Sequence, residues 1–524
     1  MTGARDRPAP WDGAHFSAGV YRIGLVAVTL LGAALRVAHI ARPFNRLMAW
    51  NEGHYAMTAL NFDRYGLWSQ HNELGVDRTF SPGGPWLIWA SMKVFGPSEA
   101  AARLPIVLAG IAAVPLIAAL ARRLARSEQI ALVAAAFVAV APGLIYFSQN
   151  VQLDTLSICF ALAAAVLMLR YRDARRGRDA LWAGVWLAAA VWVKFTTLLL
   201  YPAFLVMWWP ARPAARAPAG ARAAGFALIT ALPSLLWIAV GWLSFQASSG
   251  FTKRFFFRDW DLRGIAKATS EIPLAVEAHL FIAVFLLMLA GFGTAGRWRG
   301  GFRTIWVWCL PWVLLYLLAP WDSLVNRYYD LPATYLLTVV AATGLWTWTA
   351  RRAPTPSPRA LAAALVVVAG LTVAYDVWDP MTDRIARASM AHVPPIDPSP
   401  FYSAKIVAAL PPGSTIVDTP QTMFYAGGDP AWIDITGGDV RWKIDPETYD
   451  YVVLNDYGHG QEPYYAIDDA LRRQFARHHY VQIAPGAWAQ VRTRIADLGG
   501  YGDPAAPPWA PARAWLRPGM TVWR

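Results

Sequence analysis

The sequence predicts a polytopic α-helical membrane protein of about eleven transmembrane helices, followed by a small C-terminal α/β domain. Three observations predict it. Of 524 residues, 56% are hydrophobic and the mean hydropathy is +0.32, too apolar for a soluble chain of this size. Only 15% are charged, and these gather between long apolar runs. Trp is abundant, at 27 residues, as suits rings anchored at membrane interfaces. The formal net charge of +13 does not argue for nucleic acid, because the basic residues sit in short connecting loops, where they act as topology signals. Cys159 and Cys309 both fall inside apolar runs, which argues against a disulfide or a zinc site.

A membrane helix needs roughly 20 mostly apolar residues. Runs of that kind lie near 20–40, 100–121, 128–147, 152–171, 179–194, 196–210, 223–248, 276–296, 303–320, 328–349 and 359–378. The polar N-terminus shows no cleavable signal pattern, and the first run is itself long enough to span. The transmembrane region thus occupies 1–380. A polar, Pro-rich stretch follows. From 397 to 524, short apolar runs such as Ser414–Asp418 and Tyr449–Leu454 alternate with turn residues, and Ala470–Phe475 reads as a helix, giving a small soluble α/β domain.

Orientation follows from the loop arginines. Arg122, Arg123 and Arg126 fill one loop, and Arg170, Arg172, Arg175, Arg176 and Arg178 fill another, while the turn 148–151 between them has no basic residue. The arginine-rich loops are therefore cytoplasmic and the loop 41–99 lies outside. A single long helix over 179–210 would reverse everything after it. Two helices turning near Lys194 are preferred, because a charged lysine is expensive at mid-bilayer and cheap at an interface. That arrangement puts the soluble tail outside as well, in the plasma (inner) membrane setting the topology implies.

The outer loop 41–99 is too long for a simple connector. Its start, through Glu52 and on to Phe62, has apolar spacing suited to a helix lying on the membrane surface, and a second interfacial helix ends near Phe95. Four charged residues stand at the predicted outer ends of spans: Glu52, Asp154, Lys194 and Arg327. A carboxylate there can take a proton from a hydroxyl, and Lys and Arg can hold a phosphate. The same residues also suit plainer roles, as helix-terminal charges and interfacial anchors. His54 beside Glu52 is a candidate contact to a phosphate. The loop Phe251–Trp260 interleaves Arg254 and Arg258 with aromatics, which suits either a grip on an anionic lipid or acceptor, or a segment resting on anionic lipid.

The order of these pieces resembles the GT-C membrane glycosyltransferases, especially the protein mannosyltransferase and aminoarabinose transferase group, over roughly residues 20–350. The family's early Asp-Glu-x-x-Tyr reads here as Asn51, Glu52 and Tyr55. Phe80, Pro82 and Pro85 match its aromatic and Pro-rich approach. Phe95, Gly96, Glu99, Arg103, Leu104 and Pro105 match the motif that leads into the second span. Leu153–Asp154, Lys194, Arg327–Tyr328 and Pro332 complete the set. Two departures stand out. Asn51 replaces the Asp that usually serves as base, so the role would pass to Glu52 or Asp154. The basic residue that some relatives carry before the paired prolines is absent.

The resemblance implies transfer of a monosaccharide from a polyprenyl-phosphate donor to a lipid, glycan or protein acceptor by inverting displacement, outside the cytoplasm, where nucleotide sugars are lacking. Glu52 and Asp154 are then the catalytic carboxylates. Lys194, Arg327 and His54 hold the donor phosphate, and Asn51, Tyr55, Arg254 and Arg258 contact substrate. No metal ligands are assigned, although a divalent metal is compatible with the chemistry. Two other readings stay open: a transporter or flippase of lipid-linked sugars, and a non-catalytic relative in which Asn51 marks lost chemistry.

Overall fold

The computed structural model describes residues 17–41, 44, 49–72, 75–76, 81–208, scattered positions from 226 to 280, 282–294, 299–318, 327–350 and four short strands beyond 415. Helix α1 is Ala18–Val37, α2 is Ala49–Tyr65 and α3 is Gly83–Phe95. Between α2 and α3, β1 (His71–Asn72) pairs antiparallel with β2 (Gly75–Val76). Then follow α4 (Glu99–Ala125), α5 (Glu128–Val140), α6 (Pro142–Ser148), α7 (Leu153–Ala174) and α8 (Gly177–Val193). A 3₁₀ turn, Phe195–Leu200, leads into α9 (Tyr201–Trp208). Further on lie α10 (Ile282–Thr294), α11 (Arg299–Leu318), the 3₁₀ turn Arg327–Asp330 and α12 (Leu331–Ala350).

Among the described residues, α1, α4 and α7 are long and apolar enough to cross a membrane, and α5 with α6 makes a fourth if the bent pair counts as one span. The apolar run at 128–147, expected as a single span, is broken by a 58° bend. Pro142 is the reason, since it has no N–H to continue the helical ladder. The runs expected near 276–296, 303–320 and 328–349 coincide with α10, α11 and α12. Most of 223–248, all of 359–378 and the loop carrying Arg254 and Arg258 lie outside the described residues.

The chain divides into two compact units, one of residues 1–40, 105–240 and 250–389, the other of 41–104, 241–249 and 390–524. The first is a helical bundle with two chemically distinct ends. At one end Arg123 Nη1 donates to Asp173 Oδ2 at 2.8 Å, fastening the α4–α5 turn to the end of α7. Arg122 lies 5.4 Å from the Tyr21 ring, which brings the start of α1 there too. At the other end of α7, Lys194 Nζ donates to Asp154 Oδ2 at 2.5 Å. Ser157 and Thr197 are hydrogen-bonded at 2.9 Å, and the Trp208 ring sits 5.2 Å from Tyr171. The chain therefore climbs α8 to Lys194, reverses, and descends through α9 back toward the far end of α7. The break has extended backbone at Lys194, φ −149° and ψ 116°. Helical segments turn near Lys194, as expected from the charge, over the described residues 177–208.

Apolar side chains such as Ile23 on α1 (72% exposed) and Leu181 on α8 (66% exposed) face outward from the bundle. A face of this kind suits lipid better than water. By contrast, α12 is buried from Leu331 to Gly344 and packs against α5, α7, α10 and α11. Thr334 and Thr343 are satisfied locally, donating to the carbonyls of Asp330 and Val339. Where α12 crosses α10, both partners are glycine. A Cβ on Gly291 would strike the Val340 carbonyl, and one on Gly344 would strike the Leu287 carbonyl, so close backbone approach holds this seam together.

The break at Pro142 is completed by a residue more than a hundred positions away. Without an N–H on Pro142, the Val138 carbonyl loses its helical donor. Arg36, fully buried near the end of α1, supplies it: Nη2 donates to Val138 O at 2.8 Å, Nη1 to Ala139 O at 3.0 Å and to Gly32 O at 3.1 Å, and Nε to Ser148 Oγ at 3.3 Å. Gln149 adds a bond to Leu35 O at 2.6 Å. Gly110 on α4 makes the room, since a Cβ there would collide with Ser148 and come within 3.0 Å of Arg36 Nε.

In the second unit α2 packs on α3. Asp63 joins them: Trp89 Nε1 donates to Oδ1 at 2.9 Å and Lys93 Nζ to Oδ2 at 3.2 Å. Trp89 and Lys93 are four apart on one helix face, so a single carboxylate takes both. The strands β3 (Ile416–Val417), β4 (Tyr451–Asn455), β5 (Val481–Gln482) and β6 (Ala512–Leu516) form a sheet of order β3-β4-β6-β5. The first pair is parallel and the others antiparallel. The expected helix at 470–475 lies outside the described residues.

Two outcomes follow. Arg36→Met should lower thermal stability by about 2–4 kcal/mol by orphaning buried carbonyls. The loss should shrink when Pro142→Ala restores the missing N–H, which a double-mutant cycle of melting temperatures checks. The Trp89 hydrogen bond, and then Lys93, hold the Asp63 carboxyl below its ordinary 3.8. Its stabilisation is complete above the unfolded value and disappears as pH falls through the folded one. Wild type and Asp63→Asn should therefore differ in stability at pH 5 and converge on acidification below pH 3.8, as unfolding monitored across that range will read.

Candidate functional site

The second unit holds Glu52 in the first turn of α2, where a helix N-terminus favours an anion. Arg103, in the opening turns of α4, meets it in a two-pronged ion pair: Nε to Oε1 at 2.7 Å and Nη2 to Oε2 at 3.0 Å, with both side chains fully buried. The Phe44 ring lies 4.9 Å from the Arg103 guanidinium. His54 is buried, with its ring edge-on to Tyr55 at 5.1 Å, and its carbonyl accepts from Thr58. Asn51 is half-buried beside them in sequence.

The bundle holds the second group. Asp154 sits in the first turn of α7, and Gln152 just before it donates Nε2 to Oδ2 at 2.5 Å. Lys194 reaches the same oxygen from the break after α8. The Lys194 ammonium also lies 5.4 Å from the Tyr329 ring. Tyr329 belongs to the 3₁₀ turn that Arg327 begins, so backbone carrying Arg327 stands beside the Asp154–Lys194 pair. Asp154 is nearly buried and Lys194 keeps 10% of its side chain exposed.

Of the sequence-predicted residues, Asp154 and Lys194 are joined directly, the Arg327 turn adjoins them, and Glu52, His54, Asn51 and Tyr55 share α2. Arg254 and Arg258 lie outside the described residues. Sequence reasoning gave no role to Arg103, Gln152, Tyr329 or Arg36. Arg103 had a signal, since a buried carboxylate needs a cation and Arg103 sits within a matched motif. Arg36 had one too, as a charge inside the first apolar run. Among the described residues, no three His, Cys, Asp or Glu side chains gather as a metal site. Cys159 and Cys309 are free and buried.

Residues 79–237 match the family of dolichyl-phosphate-mannose-protein mannosyltransferases. No curated protein matches the chain in sequence. Among solved structures, ArnT from Cupriavidus metallidurans bound to undecaprenyl phosphate superposes with a TM-score of 0.53 at 14% identity, over 89% of this chain and 97% of that one. Its apo state gives 0.54 at 14%, over 89% and 96%. The apo oligosaccharyltransferase of Archaeoglobus fulgidus gives 0.51 at 11%, over 83% of this chain and 69% of that one. At these identities the likeness is one of fold. By that fold and the matched segment, the chain resembles the GT-C membrane glycosyltransferases of the protein mannosyltransferase and aminoarabinose transferase-like group.

Proposed function

We propose that this protein transfers a monosaccharide from a polyprenyl-phosphate carrier to a lipid, glycan or protein acceptor at the extracytoplasmic side of the membrane. The observation that carries the reading is the Asp154–Lys194 pair at a helix break at one end of the bundle, beside the turn that bears Arg327. A cation at that level suits the phosphate of a membrane-borne donor, and undecaprenyl phosphate is what the ArnT structure is named as binding.

The charge layout supports the sidedness. Asp173, near the far end of α7, is tied to the arginine-rich loops. Nineteen residues of α-helix separate Asp154 from it, about 28 Å at 1.5 Å per residue, close to the hydrocarbon thickness of a bilayer. With the arginine-rich end cytoplasmic, Lys194 falls at the opposite surface.

In the proposed reaction the acceptor oxygen attacks the anomeric carbon and the bond to phosphate oxygen breaks on the opposite face. Lys194 and Arg327 offset the charge that grows on the leaving polyprenyl phosphate. Asp154 first holds the ammonium in place and shares it when the phosphate arrives. The acceptor's proton passes to a carboxylate, Glu52 or Asp154. One observation favours a second reading, a non-catalytic relative: Asn51 stands where an acid is expected, and both oxygens of Glu52 already accept from Arg103.

Purified protein incubated with a panel of polyprenyl-phosphate sugars should release polyprenyl phosphate. Lys194→Gln should lower that turnover by about 10²-fold or more. Removing the base, by Glu52→Gln or by Asp154→Asn, should abolish turnover while donor binding persists, whereas a flippase would be indifferent to both. A folded sample that turns over no donor sinks the enzymatic reading and leaves the non-catalytic one.

A further inference from the structure

The arginine-rich end of the bundle contains a feature that topology alone does not require. Among the described residues, two non-glycine positions have positive φ, and both are arginines: Arg126 and Arg175, each at φ 54°. Each follows the last residue of a helix, Arg126 after α4 and Arg175 after α7. This left-handed cap position is where glycine is the unstrained choice. The Arg175 N–H caps Tyr171 O at 2.8 Å, a backbone bond that glycine would make equally well. Cationic charge does complement a helix C-terminus. That preference is met within the last turns by Arg122, Arg123 and Arg172, which need no left-handed backbone.

The Arg123–Asp173 bond sets the two caps at one end of the bundle. Among the described residues, the carboxylates at that end are already engaged: Glu128 by Arg122 at 2.5 Å, Asp173 by Arg123 and Arg172, and Asp179 by Arg170 at 3.7 Å. Arg126, Arg175, Arg176 and Arg178 are exposed, and none has an ion-pair partner among the described residues. Aromatic rings mark the level as interfacial. Arg175 lies 5.6 Å from the Tyr171 ring, Trp208 sits against Tyr171, and Tyr21 lies under Arg122.

We infer that the exposed arginines of the α4 and α7 caps form a seat for the phosphate headgroups of anionic phospholipid. A planar guanidinium fork can donate to both non-bridging oxygens of a phosphate diester at once, which an ammonium does not match in geometry. Tyr171, itself packed on Trp208, sits against the Arg175 fork at the depth where an anionic leaflet concentrates such groups. The strained backbone is then the cost of placing arginine, and not glycine, at the two positions nearest the joined turns.

The test separates strain from binding. Full-length protein is melted in phosphatidylcholine micelles, with and without added phosphatidylglycerol, and separately with inorganic phosphate. Wild type should gain melting temperature with phosphatidylglycerol and not with inorganic phosphate. The double variant Arg126→Gly, Arg175→Gly should melt at the same temperature or higher in phosphatidylcholine, because glycine relieves the strain, yet lose most of the phosphatidylglycerol gain. Arg126→Asn with Arg175→Asn, which tolerates the same backbone, should lose the gain likewise. The inference fails if either variant keeps the full gain, if the glycine variant melts lower in both lipids alike, or if inorganic phosphate reproduces the gain.

Discussion

A helix that stops inside a membrane has no water to receive its freed carbonyls, so each interruption must be answered by protein. Among the described residues the bundle has two breaks that need an answer, one at Pro142 and one at Lys194. At Pro142 the answer comes from α1, whose Arg36 crosses to the carbonyls of Val138 and Ala139. At Lys194 the chain itself turns, and the lysine that marks the turn is neutralised by Asp154 on the neighbouring helix. In the first case a cation meets neutral dipoles and becomes part of the scaffold. In the second it meets a carboxylate and keeps a sliver of exposure. That difference is why we propose Lys194, and not Arg36, as the group that meets a charged ligand.

The second unit solves a similar problem with different means. A fully buried carboxylate and guanidinium are tolerable only as a pair with both forks matched, and Glu52 and Arg103 are such a pair. It links α2 to α4, between residues 51 positions apart. The segment between is thereby closed at its base, and Asp63 fastens α2 to α3 within it.

How much of this could be read beforehand depended on the range of the interaction. The three long spans were legible because twenty apolar residues in a row have few other fates. The two helices of the segment 41–99 were legible from apolar spacing. Pro142 was visible, but the apolar run continued through it, and composition outweighed a single breaker. The turn at Lys194 was legible from the cost of its charge. What could not be read was partnership. Nothing local to Glu52 names Arg103, and nothing near Pro142 points back to Arg36. Asp154 and Lys194 could be assigned to one level, but their direct bond depends on how α7 and α8 are rotated against each other. Arg254 and Arg258 remain where the sequence left them, as an aromatic-flanked basic loop.

The seam between α10 and α12 has a consequence for how this protein can change over time. Two backbones meet there with glycine on each side, and the smallest side chain available would already run into a carbonyl. Elsewhere on these helices Leu, Ile, Val and Ala can trade places by small steps, because each exchange leaves a neighbour that can shift to accommodate it. At Gly291 and Gly344 there is no first step. These two sites offer selection no alternative residue unless the helices themselves move apart.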